Sequence, residues 1–258
     1  MKNKLFFFFD YNRVTVNKAI NGTLSIATLA MRNGDFSSTG TTIYDPASGT
    51  ATGTGKTAFN GNMVQPNRIA PAAATMLKNL PAPNIGAAGA LTNNYFGSAT
   101  NAFNRQNYDA KITYIPNEST SIFGHYSISP DTISDPQVFG SNPGGGTFDG
   151  GQPGVATGRI QNVGLGFTHA FTPHFSTDWN GGYTRQSLGA QAGDIGLGDY
   201  GVNVLGIPGT NFNGLPLYGG IPAFYFTTYA GLGNADTGSP FTFRDNQYTG
   251  NAKRNLGP

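Results

Sequence analysis

Cysteine is absent from this 258-residue sequence, which excludes a disulfide scaffold and any thiolate metal site. Charge is scarce as well. Asp, Glu, Lys and Arg make up only 11% of the residues, with a net charge of +2, whereas soluble domains carry about twice that fraction. Uncharged polar groups must therefore wet the surface, or part of it must face something other than water. No run of Lys or Arg forms a basic stripe, so nothing supports a nucleic-acid partner. Long hydrophobic runs are missing too: the longest, Leu5 to Phe9, falls far short of the roughly 20 residues a helical span needs. With Met1-Lys2-Asn3-Lys4 before it, this run has the charge of an export signal. It is nonetheless shorter than the about 7 to 15 apolar residues required, and Asp10-Tyr11-Asn12 ends it, so a strand is expected there.

Tryptophan occurs once, against 19 Phe, 12 Tyr and 38 Gly, a balance that favours strands joined by glycine-rich turns over helices. The clearest stretch runs from Asn107 to Ser129. Tyr108, Ala110, Ile112 and Tyr114 alternate with Asp109, Lys111 and Thr113, and after the polar turn Pro116-Asn117-Glu118-Ser119 the chain returns through Ile122, Gly124, Tyr126 and Ile128. Ser121, His125 and Ser127 stand opposite, and Phe123 breaks the pattern. Period-two alternation around a tight turn predicts a hairpin with one greasy and one wet face. A second hairpin is expected where Val163, Leu165 and Phe167 lead to the turn Phe171-Thr172-Pro173-His174 and Phe175, Thr177, Trp179 and Tyr183 lead away. In all, strands are expected near 4–11, 105–115, 120–129, 158–170, 174–186 and 241–253, with long loops at 12–104, 130–157 and 187–240. Pro71 to Leu80 is the one loop helix expected: Pro71 suits a first turn and Pro81 stops propagation, although Ala70 provides no capping side chain. Such a pattern suits a β-sandwich or a membrane β-barrel, and short turns at one end with long loops at the other favour the barrel. A sandwich would bury Ile112, Ile128, Leu165 and Trp179 against a second sheet; a barrel would leave them facing outward.

Few residues suggest chemistry. Thr52-Gly53-Thr54-Gly55-Lys56-Thr57 has the flavour of a phosphate loop, but position 50 is threonine where the motif needs glycine, and no buried strand leads into it. His169 and His174, with Asp178 as a third ligand, could hold a metal, yet their place around a hairpin turn favours solvated turn residues. His125, Asp109 and Lys111 are expected to form a cross-strand polar ladder. No Gly-x-Ser-x-Gly elbow occurs and no carboxylate pair stands out, so an enzyme is not expected and neither catalytic residues nor cofactors are assigned. Trp179, Tyr183, Tyr108, Tyr114 and Tyr126 would be interfacial anchors in a barrel.

Several segments, taken in order, resemble the Oar-like group of TonB-dependent outer-membrane receptors. They are Lys2 to Tyr11, Met31-Arg32-Asn33-Gly34-Asp35-Phe36-Ser37, Ile43-Tyr44-Asp45-Pro46, Asn67-Arg68-Ile69-Ala70-Pro71, Leu80-Pro81-Ala82-Pro83-Asn84, Asn93-Asn94-Tyr95-Phe96, the central hairpin, and Thr168-His169-Ala170-Phe171-Thr172-Pro173. Ala70 departs from the serine the resemblance leads one to expect, and Lys253 to Pro258 ends where a further strand would begin. The resemblance implies an all-β fold: antiparallel up-and-down strands forming an incomplete segment of a large transmembrane barrel of about 22 strands. It implies location in the outer membrane and active uptake of a ligand through the loops. The implied partners are outer-membrane lipid, the remainder of the barrel with its plug, and the TonB energy-coupling complex acting through the plug. On this reading the chain is a fragment of a longer protein. A soluble, secreted β-rich binding or adhesive module is the second expectation.

Overall fold

The computed structural model describes residues 4–234 and 238–255. The first two residues of the Lys2–Tyr11 segment and the last three of the Lys253–Pro258 segment lie outside them. Six strands form one antiparallel sheet in simple sequence order: β1 Leu5–Leu24, β2 Tyr95–Asn117, β3 Thr120–Asp135, β4 Gly154–Thr172, β5 Phe175–Gln191 and β6 Phe241–Arg254. The sheet is open, with β1 and β6 as its edges. This up-and-down order follows from the tight turns at one end, at Glu118-Ser119 between β2 and β3 and Pro173-His174 between β4 and β5, and from the three long connections at the other. These connections, L1 (25–94), L2 (136–153) and L3 (192–240), separate β1 from β2, β3 from β4 and β5 from β6. Among the described residues no helix is long and apolar enough to cross a membrane.

Both expected hairpins form, but the strands run further toward the loop end than expected. Residues 12–24 and 95–104, expected as loop, pair along their whole length from Asn12↔Asn107 to Leu24↔Tyr95. Residues 130–135, 154–157 and 187–191 likewise extend the ladder. Apolar alternation fades there because the outward positions become Arg13, Thr15 and Asn17, so pairing rather than hydrophobic period maintains the strand. Even Asn21-Gly22, a turn signal in isolation, lies in the ladder opposite Gly97 and Ser98. The loop helix spans Pro71–Asn79, with Pro71 in its first turn and no side-chain cap from Ala70. Leu80 is already extended at ψ 133°, the conformation required of a residue before proline. Two further single-turn helices, Leu29–Arg32 and Tyr200–Asn203, occur in L1 and L3.

The conventional core is not in the sheet. Ile26, Met76 and Leu80 from L1, Val138 and Phe139 from L2, and Leu205, Ile221 and Leu232 from L3 form one buried cluster. The three loops thus fold together as a cap. Backbone bonds join them: Ala230 N–H donates to Ser25 O at 2.9 Å, and Gly233 N–H donates to Pro143 O at 2.7 Å. Gly233 has φ +73°, and a Cβ there would lie 1.9 Å from Pro222 O, so this junction admits only glycine.

Candidate functional site

Register assigns every strand side chain to one of two faces. On the outer face, Phe7, Ile112, Gly124, Leu165, Gly181 and Tyr248 lie in one row across all six strands. The neighbouring row toward the turns runs Leu5, Tyr114, Ile122, Phe167, Trp179 and Gly250. Ile112, Leu165 and Trp179 are 57%, 62% and 59% exposed and Ile128 is half-buried; no second sheet covers them. The five expected anchors all take this face. Tyr114 and Trp179 lie toward the turns, while Tyr126, Tyr183 and Tyr108 lie toward the loops, with Tyr11 against Tyr108 at a centroid distance of 5.0 Å. From the level of Phe171 on β4 to that of Ile128 and Tyr108, opposite Gln161, the apolar belt climbs about 33 Å along the strand, or about 25 Å once the strand is tilted by about 40°. That is the height of a lipid-facing belt.

The inner face is wet at mid-height. His125 Nε2 lies 3.5 Å from Asp109 Oδ1, while the Lys111 ammonium sits over the Phe123 ring, 4.8 Å from its centre. Thr184 Oγ1 donates to Asn162 Oδ1 at 2.7 Å and Asn162 Nδ2 donates to Ser127 Oγ at 3.1 Å. Asp10 stands directly across the ladder from Asp109. The polar ladder therefore exists, but Lys111 joins it by stacking on the residue that broke the sequence pattern. This face is not uniformly polar. Phe6 and Phe8 on β1 and Phe241 and Phe243 on β6 point inward and are exposed.

At the loop end the cap closes over the inner side. The Phe148 ring of L2 lies 3.1 Å from where a Gly22 Cβ would be and 2.6 Å from a Gly97 Cβ, so paired glycines in β1 and β2 make its seat. Beneath it Asp135 is buried beside Asn101, Lys18 and Asp149. The Gly151 N–H and the Thr147 hydroxyl, at 3.1 and 3.0 Å, hold the Asp149 carboxyl below the usual carboxylate range.

Five of the sequence segments that carried the resemblance, from Met31–Ser37 to Asn93–Phe96, prove to supply braces within L1, while the others lie in the strands. Arg32 donates to Ala27 O at 3.0 Å, to Leu80 O at 2.6 Å and to Pro81 O at 2.5 Å, tying Met31–Ser37 to Leu80–Asn84. Burial pushes its guanidinium pKa down. Asp45 accepts both terminal nitrogens of Arg68, tying the Tyr44-Asp45-Pro46 turn to Asn67–Pro71. Asn94, 1% exposed, accepts from Ile26 N at 2.9 Å and donates to Ile26 O at 2.8 Å and Ala90 O at 2.9 Å. Asn211 does the same in L3, accepting from Gly201 N and donating to Tyr218 O and Gly220 O. Asn94 lies in the resemblance segment Asn93 to Phe96, whereas Asn211 gave no signal in the sequence, where Asn is common in every loop. Between Thr28, Ser38, Asn84 and Gly86 lies an open recess of about 410 Å³, large enough for a small polar ligand.

The weighed metal ligands do not converge. His169 is not a turn residue, because β4 continues to Thr172; its Nδ1 bonds Thr120 Oγ1 at 2.9 Å on the outer face and its ring packs between Phe167 and Phe171. His174 occupies the turn. Asp178 faces inward and accepts from Asn251 Nδ2 at 2.9 Å. No three metal-ligating side chains cluster among the described residues. Residues 52–57 lie in an exposed tip where the Thr50, Thr52 and Thr54 hydroxyls bond one another.

Neither curated proteins nor solved structures yield a match to the chain. The family described as outer membrane beta barrel domain matches residues 1–256. That assignment sets aside the soluble module, as the uncovered apolar belt also does. With an up-and-down sheet, a greasy outer face and a wet inner one, this chain belongs to the outer-membrane β-barrel family.

Proposed function

We propose that this barrel serves a TonB-dependent receptor of the Oar-like group, with L1, L2 and L3 as the ligand-facing surface and the sheet as part of the wall. The observation that carries the reading is the inner face. Phe6, Phe8, Phe241 and Phe243 present exposed phenyl groups to the lumen, where water alone would be a poor neighbour. A folded plug inside the barrel would bury them, and exposed apolar patches of this kind mark contact surfaces. The braced L1 adds support: a loop held by Arg32, Arg68 and Asn94 can present a ligand surface of fixed shape. On this reading β1 and β6 pair with further strands, lipid surrounds the outer face, the plug carries the coupling to the TonB complex, and the chain binds and admits a ligand rather than transforming it.

A photo-crosslinking side chain placed at Phe8, in the protein in its native outer membrane, tests this directly. The expected product is an adduct to a plug segment, identified by mass spectrometry. An adduct to nothing but water, with the protein correctly inserted, would mean an open lumen; the receptor reading would fall and the barrel would stand.

A further inference from the structure

Charge is divided between the faces of the sheet. Every strand carboxylate takes the inner face: Asp10, Asp109, Asp131, Asp135, Asp178 and Asp245. The outer face carries arginine and no acid. Arg13, Arg159, Arg185 and Arg244 all point outward at the loop end of the apolar belt, Arg185 and Arg244 in the row of Tyr11, Tyr108 and Ile128 and Arg13 and Arg159 in the next row toward the loops, while Arg254 points outward at the turn end. Arg185 and Arg244 are immediate cross-strand partners, an arrangement of like charges that costs stability unless an anion lies between them. Arg159 pairs with Ser187, two residues beyond Arg185 on the same face, which sets its Cα about 7–8 Å from that of Arg185. None of the four forms an ion pair among the described residues.

Two cavities continue this pattern along the outer face. Arg159 and Arg185 line a depression of about 520 Å³ together with the hydroxyl residues Thr132, Thr157 and Ser187. Asp131 borders it only from behind, since its carboxylate packs where a Gly158 Cβ would point, on the inner face. Two guanidinium forks and three hydroxyls suit the oxygens of a phosphate. Further down the same strands lies an apolar groove of about 660 Å³ between Leu165, Phe167, Trp179 and Tyr248, floored by Gly181 and Gly250. From Arg159 to Leu165 the strand rises about 20 Å, so the two cavities stand apart by about half a bilayer core along the tilted strand.

We infer that the outer face of β3 to β6 is a binding site for a membrane lipid with a phosphate-bearing headgroup. Arg159, Arg185 and Arg244 hold the phosphate at the loop-side interface, and an acyl chain lies in the groove beside Trp179. The inference rests on the lipid-facing outer face and not on the uptake reading, so either can fail alone.

Trp179, the only tryptophan in the sequence, reports on the groove. The chain is reconstituted in phosphatidylcholine vesicles that contain a minor fraction of chain-brominated lipid, either phosphatidic acid or phosphatidylcholine. At equal mole fraction, brominated phosphatidic acid should occupy the groove about fivefold more readily, as seen by quenching. The preference should vanish in the R159Q/R185Q/R244Q variant and persist in R105Q, which removes an arginine from the inner face. Equal quenching by the two lipids, or a preference that survives the triple substitution, would overturn the site. So would a preference erased by inorganic phosphate at constant ionic strength, which would assign the arginines to free phosphate.

Discussion

Phe7 on the sheet is 86% exposed, whereas Ile26 and Ile221 in the cap are 1% and 2% exposed. Within one chain, then, the large apolar side chains of one region are uncovered and those of another are sealed. The difference identifies the surroundings of each. Water surrounds the cap, so L1, L2 and L3 bury a shared core, as any small water-soluble unit must. Lipid surrounds the belt, so burying Phe7, Ile112 or Leu165 against protein would gain little, and the strands need only satisfy their backbone groups by pairing. Glycine marks the same division. In the sheet it floors a groove at Gly181 and Gly250, while in the cap it permits close backbone contact, as at Gly34, where φ is +86° and a Cβ would meet Val64 O at 2.1 Å.

The strongest attack on this comparison is a cavity in the cap. Phe139 belongs to L2 but packs on Tyr95, with ring centroids 5.5 Å apart, and joins the cluster shared by all three loops. Phe139→Ala should cost about 3–5 kcal/mol of cap stability. Hydrogen exchange should show L1, L2 and L3 losing protection together while amides of the central hairpins keep theirs. If only L2 loosens, the cap is three separate loops.

The reverse attack places a charge in the belt. Leu165→Arg should destabilise the sheet by about 2–4 kcal/mol in a bilayer, measured by unfolding in vesicles. The same substitution on a water-exposed strand would be nearly neutral. Indifference to Arg at this position would therefore mean that lipid does not meet the outer face.

A smaller effect is expected from Asn94→Ala, which leaves the N–H and C=O of Ile26 and the carbonyl of Ala90 without their partner. A loss of about 1–3 kcal/mol, seen as faster proteolysis within L1, would show that this side chain braces the loop. Unchanged proteolysis would show that the brace is dispensable.

These regions were unequally legible in the sequence. The two hairpins were plain because one face is apolar at every second residue from Tyr108 to Tyr114 and from Val163 to Phe167. The strands became unreadable above the belt, where Arg13, Thr15, Gln106 and Thr132 take the outer face and the alternation of apolar and polar residues disappears. Most of the cap core was invisible for another reason: Ile26, Phe139, Leu205 and Ile221 come singly from distant loops, with no period to reveal them, and only the helix edge of Met76 and Leu80 could be read. Five of the resemblance segments did mark L1, where they brace the loop. Once register is known, the outward arginines follow from parity alone; without it, Arg159, Arg185 and Arg244 are three isolated charges.

Acid should act on L1 and L3 in opposite directions, the subtlest expectation and the one that divides the cap internally. Asp194 in L3 is buried, its Oδ2 accepting from Ile221 N at 2.7 Å, and burial raises its pKa above the ordinary aspartate value despite that bond. A raised folded pKa means that the native loop binds the proton more tightly than the unfolded chain does. Stability from this group is full below the unfolded pKa and is lost as pH rises through the folded one. Asp45 in L1 is the converse case. The Ala47 N–H and then the Arg68 guanidinium lower its pKa, so its contribution is present above the ordinary aspartate value and fades as pH falls through the lowered one. Between neutral pH and the ordinary aspartate range, acidification should therefore slow exchange around Ile221. Only below that range should exchange around Ala47 quicken. Asp194→Asn should abolish the first response and Asp45→Asn the second, each leaving the other intact. Because Asp45 and Arg68 are partly exposed, added salt should weaken the L1 response, since solvent screens such pairs. The response of buried Asp194 should persist. A common pH dependence across both loops would show that the cap titrates as one body and that neither carboxylate sets its local stability.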